Sequence, residues 1–181
     1  MTPSAPDRKP EPCISRIPIR VRYAETDKMG VVYHGRYLEW FEMGRVDLMK
    51  ATGLCYRTIE SHGLAFPVTE IWSRYRESCT FDDELELESW YLELTGVRIT
   101  FGYQLTRGDR TLAEAISVHA TLGRDRRLEP LPGDLRRKIE LPHDDTVGGA
   151  GGEIGDLVQA GHQAVEVGAA DGNETAGHQA A

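Results

Sequence analysis

The feature that most constrains this chain is one stretch, Arg36 to Ala51, whose apolar residues return at helical spacing around most of the wheel. Tyr37, Leu38, Trp40, Phe41, Val46, Leu48 and Met49, with Arg45 set among them, leave only a narrow polar strip of Glu39, Glu42, Asp47 and Lys50. A helix lying on a surface needs one apolar stripe; this one calls for cover on several sides. Gly53 supplies a helix stop, and Tyr56 to Ser61 reads as a short second helix ending at Gly63.

On either side the period falls to two. In Ile17 to Tyr23 apolar residues alternate as in a half-buried strand, with Pro18 near its start, where a missing donor is tolerated. After the helices come Phe66 to Arg76, whose imperfect alternation predicts a bulge, then Glu84 to Leu94, Arg98 to Thr106 and Thr111 to Gly123. Gly108-Asp109 is a hairpin signal between the last two, and a short helix is expected from Gly133 to Glu140. A strand, a very apolar helix and a run of strands make an α+β pattern, a curved antiparallel sheet wrapped around a long central helix. Such a sheet leaves edges open, so a homodimer or homotetramer is expected.

Composition sets the limits. The 181 residues, 40% of them apolar, suit one ordinary domain with a sizeable core. We divide them into an N-terminal arm (1–14) rich in proline and charge, the domain (15–141) and a tail (142–181) of Gly, Ala and acidic residues. Arm and tail are expected to be disordered, with a marginal helix conceivable over Leu157 to Val167. The net charge of −8 is carried by the tail: from His143 to Ala181 there are seven acidic residues and no Lys or Arg, leaving 22 acidic against 21 basic residues in 1–142. That balance argues against a nucleic-acid partner. No apolar run reaches the ~20 residues of a membrane span, and Met1 to Pro12 lacks the apolar core of a secretory signal, so a cytoplasmic location is expected. Cys13, Cys55 and Cys79 have no metal or redox spacing and read as free thiols. His143, His162 and His178 are too sparse for a metal site, no phosphate-cradling loop is visible, and no cofactor is expected.

The most distinctive stretch joins the first strand to the helix: Tyr23-Ala24-Glu25-Thr26-Asp27-Lys28-Met29-Gly30-Val31-Val32-Tyr33-His34-Gly35-Arg36-Tyr37-Leu38-Glu39-Trp40-Phe41-Glu42. In residue type, order and spacing it resembles the signature of the hotdog-fold acyl-CoA thioesterases of the 4-hydroxybenzoyl-CoA thioesterase family. Tyr75 to Asp83 resembles the family more weakly, with Ser78-Cys79 where Pro-Ala is usual. The likeness covers about Ile17 to Glu140. It implies a hotdog fold, an acyl-CoA substrate and a cleft between protomers.

Thioester hydrolysis needs an oxygen nucleophile and a group that stabilises the oxyanion. The resemblance places the catalytic carboxylate on Asp27, as nucleophile or as general base on water. It places the carbonyl-polarising donor on the backbone N–H of His34, at a helix N-terminus where unpaired amides and the dipole favour negative charge. Gly35 allows a ligand close approach, Tyr33 and Tyr37 are candidate pocket walls, and Glu42 is a reserve carboxylate. Arg98, Arg124, Arg126 and Arg127 are candidate partners for the coenzyme A phosphates. Each residue has a plainer reading: Asp27 as a turn residue, the His34 ring as packing, Glu42 as a partner of Arg45, and the arginines as a solvated cluster. Two other functions stay open at this point, hydration of an enoyl thioester and a non-catalytic thioester-binding or assembly module.

Overall fold

The computed structural model describes residues 14–139; the expectations for residues 1–13 of the arm and for the tail, its histidines and its marginal helix lie outside them, and Ile14, expected in the arm, opens a strand instead. The elements run β1 (Ile14–Arg20), α1 (Arg36–Ala51), α2 (Tyr56–Ser61), β2 (Val68–Tyr75), β3 (Glu84–Leu94), β4 (Arg98–Arg107), β5 (Arg110–Ala120) and α3 (Gly133–Arg136). Single 3-10 turns occupy Tyr23–Glu25 and Arg137–Ile139. The strands form one sheet in the order β1-β3-β4-β5-β2, each neighbour antiparallel to the next.

Both main helices fall on the expected residues. The expected bulge is present as a register shift between Val68 and Glu70. The first strand differs: it begins at Ile14 and ends at Arg20, and Tyr23, expected in it, turns into the 3-10 segment. There the Arg22 amide donates to the Glu25 carboxylate rather than to a neighbouring strand, which ends the ladder. Pro18 therefore sits well inside β1, tolerated because β1 is an edge strand. The last helix is also shorter than expected, giving way after Arg136 to the 3-10 turn.

Helix α1 crosses the face formed by β1, β3 and β4. Trp40, Phe41, Leu48 and Met49 are buried there with Leu87, Tyr91, Phe101, Tyr103 and Leu105. Gly44 lets the helix touch the sheet: a Cβ at that position would lie 2.8 Å from Leu87 Cδ2. Arg45, on the same side, is only 4% exposed; its guanidinium donates to Tyr56 Oη at 2.7 Å and lies over the Phe101 ring. The cover is not complete. Leu38 and Val46 of α1 stay exposed, as do Val68, Ile71 and Tyr75 of the edge strand β2.

Candidate active site

Between β1 and α1 the chain makes a short closed turn. Thr26 bridges Val32, the Asp27 amide donates to Val31 O at 2.8 Å, and the Gly30 amide donates to Asp27 O at 3.0 Å. Gly30 takes a φ of 76°, in the region that favours glycine. Asp27 is half-buried, and its Oδ1 accepts the Met29 amide at 2.7 Å, an Asx turn. Its Oδ2 accepts no hydrogen bond from the described residues. The turn-forming role of Asp27 is thus present, and it leaves one carboxylate oxygen open.

The start of α1 follows directly. Arg36 N donates to Tyr33 O and Leu38 N to Gly35 O, whereas the amides of His34 and Gly35 donate to no acceptor among the described residues. Both are therefore donors at the positive end of a 16-residue helix. Gly35 fits the Tyr33 ring, which a Cβ would approach to 2.8 Å. The half-exposed Tyr33 ring lies 4.3 Å from the exposed His34 ring. Tyr37 is buried, its hydroxyl 3.2 Å from Cys79 Sγ, and burial raises its pKa well above the usual phenol value. Its hydroxyl therefore keeps its proton at neutral pH.

A cleft of about 320 Å³ opens beside this helix start, lined by Val32, His34, Tyr37, Tyr75, Arg76, Glu77 and Ser78. Its far side is the end of β2, where Tyr75 Oη donates to the His34 carbonyl at 3.1 Å. Of the expected site residues His34 and Tyr37 line this cleft; Tyr33 and Gly35 flank His34 along the chain without lining it, and Asp27 belongs to the turn that bridges back to the cleft residue Val32 through Thr26. Glu42 stands apart on the helix, 65% exposed and 3.4 Å from Arg45.

Arg98 lies elsewhere. It pairs with Ala120 on β5, whereas Tyr75 pairs with Ala113 on the same strand, so roughly 23 Å of strand separates them. The Arg124, Arg126 and Arg127 loop is at the same distant end, beyond the Ala65–Leu122 bridge, and the Arg124 side chain lies over Gly63.

Two residues that sequence reasoning missed now belong to the site's surroundings. In the sequence Tyr75 is an apolar residue of the strand from Phe66 to Arg76 and the first of the stretch that weakly resembles the family, with no contact to His34 implied. Glu25, 2% exposed, accepts the Arg22 amide, the Arg22 guanidinium and the Trp40 indole N–H. Its bonds to Arg22 and Trp40 outweigh the opposing effect of burial, which is the largest single influence, and hold its carboxyl below the usual range. The Arg22–Glu25 spacing of three was the one hint available in the sequence.

A five-stranded antiparallel sheet that curves around one long helix is the architecture of the hotdog-fold thioesterases. The chain belongs to the thioesterase-like superfamily, whose family model matches residues 21–139. It is 37% identical over 92 residues to YneP of Bacillus subtilis, covering 51% of this chain and 67% of that protein. It is 36% identical over 99 residues to the acyl-CoA thioesterase YbgC of Haemophilus influenzae, covering 54% and 73%. Among solved structures it is similar to the hypothetical protein TT1821 of Thermus thermophilus, with a TM-score of 0.65 and 35% identity over 70% of this chain and 96% of that one.

Proposed function

We propose that this protein hydrolyses an acyl-CoA thioester to the free acid and coenzyme A, with Asp27 as nucleophile or general base and the His34 amide as oxyanion donor. The observation that carries this reading is the pairing of one open oxygen on Asp27 with two undonated amides, on His34 and Gly35, a few residues on. In direct attack the Asp27 oxygen bonds to the thioester carbon and the carbonyl oxygen gathers charge against the His34 N–H. The C–S bond then breaks, the thiolate takes a proton from water, and a second water opens the acyl-aspartyl anhydride. As general base, Asp27 takes the proton of the attacking water and the leaving sulfur receives a proton. The related acyl-CoA thioesterase YbgC supports the substrate class.

A second copy completes the reading. β2 is an edge strand that carries Ile71 and Tyr75 exposed, and α1 exposes Leu38 and Val46, apolar residues of the kind that a homodimer would cover. If two β2 strands pair antiparallel, the Val68 end of one meets the Tyr75 end of the other. The partner's Arg98 and the Arg124 to Arg127 loop then approach this copy's cleft, where the phosphates of coenzyme A need cations.

The deciding experiment is free-thiol release from short, long and aromatic acyl-CoA substrates. Asp27→Asn keeps the Asx turn, since its amide oxygen still accepts from Met29, and removes the carboxylate. A loss in kcat on the order of 10²-fold or more with the fold retained is expected. No thiol from any substrate, or parental kcat in Asp27→Asn, would overturn the reading. Consumption of an enoyl thioester without thiol release would point instead to hydration.

A further inference from the structure

We propose that Glu25 is a positioning residue of this site: its buried carboxylate joins the turn bearing Asp27 to the helix bearing the His34 and Gly35 amides, and so sets their separation. This rests on the hydrolytic reading above. The two halves of the chemistry sit on different pieces of backbone. The turn is closed on itself by the Asp27–Val31 and Thr26–Val32 contacts, and at its base the Tyr33 amide donates to Glu25 O at 2.9 Å. Most of the packing of α1 onto the sheet is apolar, and apolar contact is non-directional, so by itself it fixes the axial position and rotation of a helix poorly.

The Glu25 side chain adds a directional link. Oε1 accepts Trp40 Nε1 at 3.1 Å, one turn into the helix, and Arg22 Nη2 at 2.7 Å; Oε2 accepts the Arg22 amide at 2.7 Å. Trp40 is itself 2% exposed, so the bond from helix to turn is buried. The Arg22 side chain, 71% exposed, covers the carboxylate from outside and neutralises it. Burying a carboxylate is costly unless it is paired and hydrogen-bonded, and here every bond it makes ties the turn's base to its own flank or to α1. A residue needed only for core volume has no use for that charge. A carboxylate is the side chain that can take an amide, a guanidinium and an indole N–H at once.

The test is steady-state thiol release by the full chain carrying Glu25→Gln, Trp40→Phe, or both, with hydrogen exchange at the amides of Asp27, Val32 and Tyr33. Glu25→Gln is expected to lower kcat by about tenfold or more while KM stays within about twofold, because a misplacement near 1 Å costs the chemical step more than binding. Gln keeps one oxygen for Trp40 Nε1 but sets an NH2 group against the Arg22 amide or guanidinium, loosening the link at the turn; Trp40→Phe removes the bond to the helix and should lower kcat in the same direction. The double variant should lose little beyond Glu25→Gln alone, and exchange at the three amides should quicken in each. A lowered melting temperature with parental kcat and unchanged exchange would make Glu25 merely structural and overturn the proposal. So would single-variant losses that multiply in the double. If Glu25→Gln does not fold, Trp40→Phe decides: parental kcat and exchange overturn the proposal. Parental kcat in Asp27→Asn would instead sink the hydrolytic reading, while the exchange data still judge the link through Glu25.

Discussion

The hydroxyl of Tyr75, near the end of the edge strand, donates to the carbonyl of His34 across 3.1 Å, so the outermost strand of the sheet holds the turn that starts the central helix. Along the chain this carbonyl falls between the two open amides, and it belongs to the same peptide plane as the Gly35 N–H. Tyr75→Phe should therefore lower kcat by roughly three- to tenfold while costing only about 1 kcal/mol in urea unfolding, the net worth of one hydrogen bond. Parental kcat in that variant would show that the edge strand does not steady the oxyanion donors.

The dimeric reading makes a separate prediction about substrate size. Reversing charge at Arg126 and Arg127, both exposed and at the far end of this copy's sheet, should raise KM for an acyl-CoA. It should leave a truncated thioester without the nucleotide phosphates unchanged. Equal KM values for both substrates, before and after substitution, would remove these arginines from the binding surface.

A buried hydrogen-bonded chain that runs toward the Arg98 end of the sheet predicts a pH limit on stability. His119 Nδ1 faces the Phe66 carbonyl at 3.1 Å, and a carbonyl only accepts, so Nδ1 carries the proton. Nε2 then accepts from Ser117 Oγ at 2.9 Å, and Ser117 accepts from Tyr103 Oη at 2.8 Å. Burial, aided by the nearby Arg45 charge, pushes the His119 pKa from 6.5 down to about 4. The unfolded chain takes up this proton near pH 6.5 while the folded one resists it to about 4. The contribution is therefore whole above pH 6.5 and is lost as pH falls through that window, about 3 kcal/mol in all. Urea unfolding at pH 7.5, 5.5 and 4.5, compared with His119→Gln, checks this. An identical pH slope in the two proteins would contradict it.

The contact between helix and sheet predicts the most damaging small change. Gly44→Ala puts a methyl group against Ser89 Oγ and Leu87 on β3, both fully buried, so the helix must lift. A loss of about 2–3 kcal/mol is expected, the ordinary result of overpacking a close contact, against a gain well below that from better helix propensity. Melting of Gly44→Ala at or above the parent temperature would mean that the sheet yields at this point.

Much of the fold was legible because it is written in local periods. The helix from Arg36 to Ala51 and the strand from Glu84 to Leu94 start and stop where their patterns do, since hydrophobic repeat and stop signals act over a few residues. The first strand was misplaced because a side chain, Glu25, captured a backbone amide that the pattern alone assigned to the ladder. Asp27, His34 and Gly35 were legible through a motif, a run of types at set spacing, and they do fall on one turn and one helix start. Glu25 escaped because burial of a carboxylate depends on what covers it, here Trp40 and Arg22.

What the sequence by itself determined was the set of elements, the sharp turn ahead of the helix and the residues it displays, all products of short-range backbone preference. Only the tertiary structure decided that β2 lies at the far edge beside β5, that Tyr75 reaches His34, and that Arg98 stands at the opposite end of the sheet. Those relations join residues far apart in the chain, as with His34 and Tyr75 or Val68 and His119. They follow from how a curved sheet closes on one helix and buries the most apolar area, a property of the whole packed chain rather than of any stretch of it.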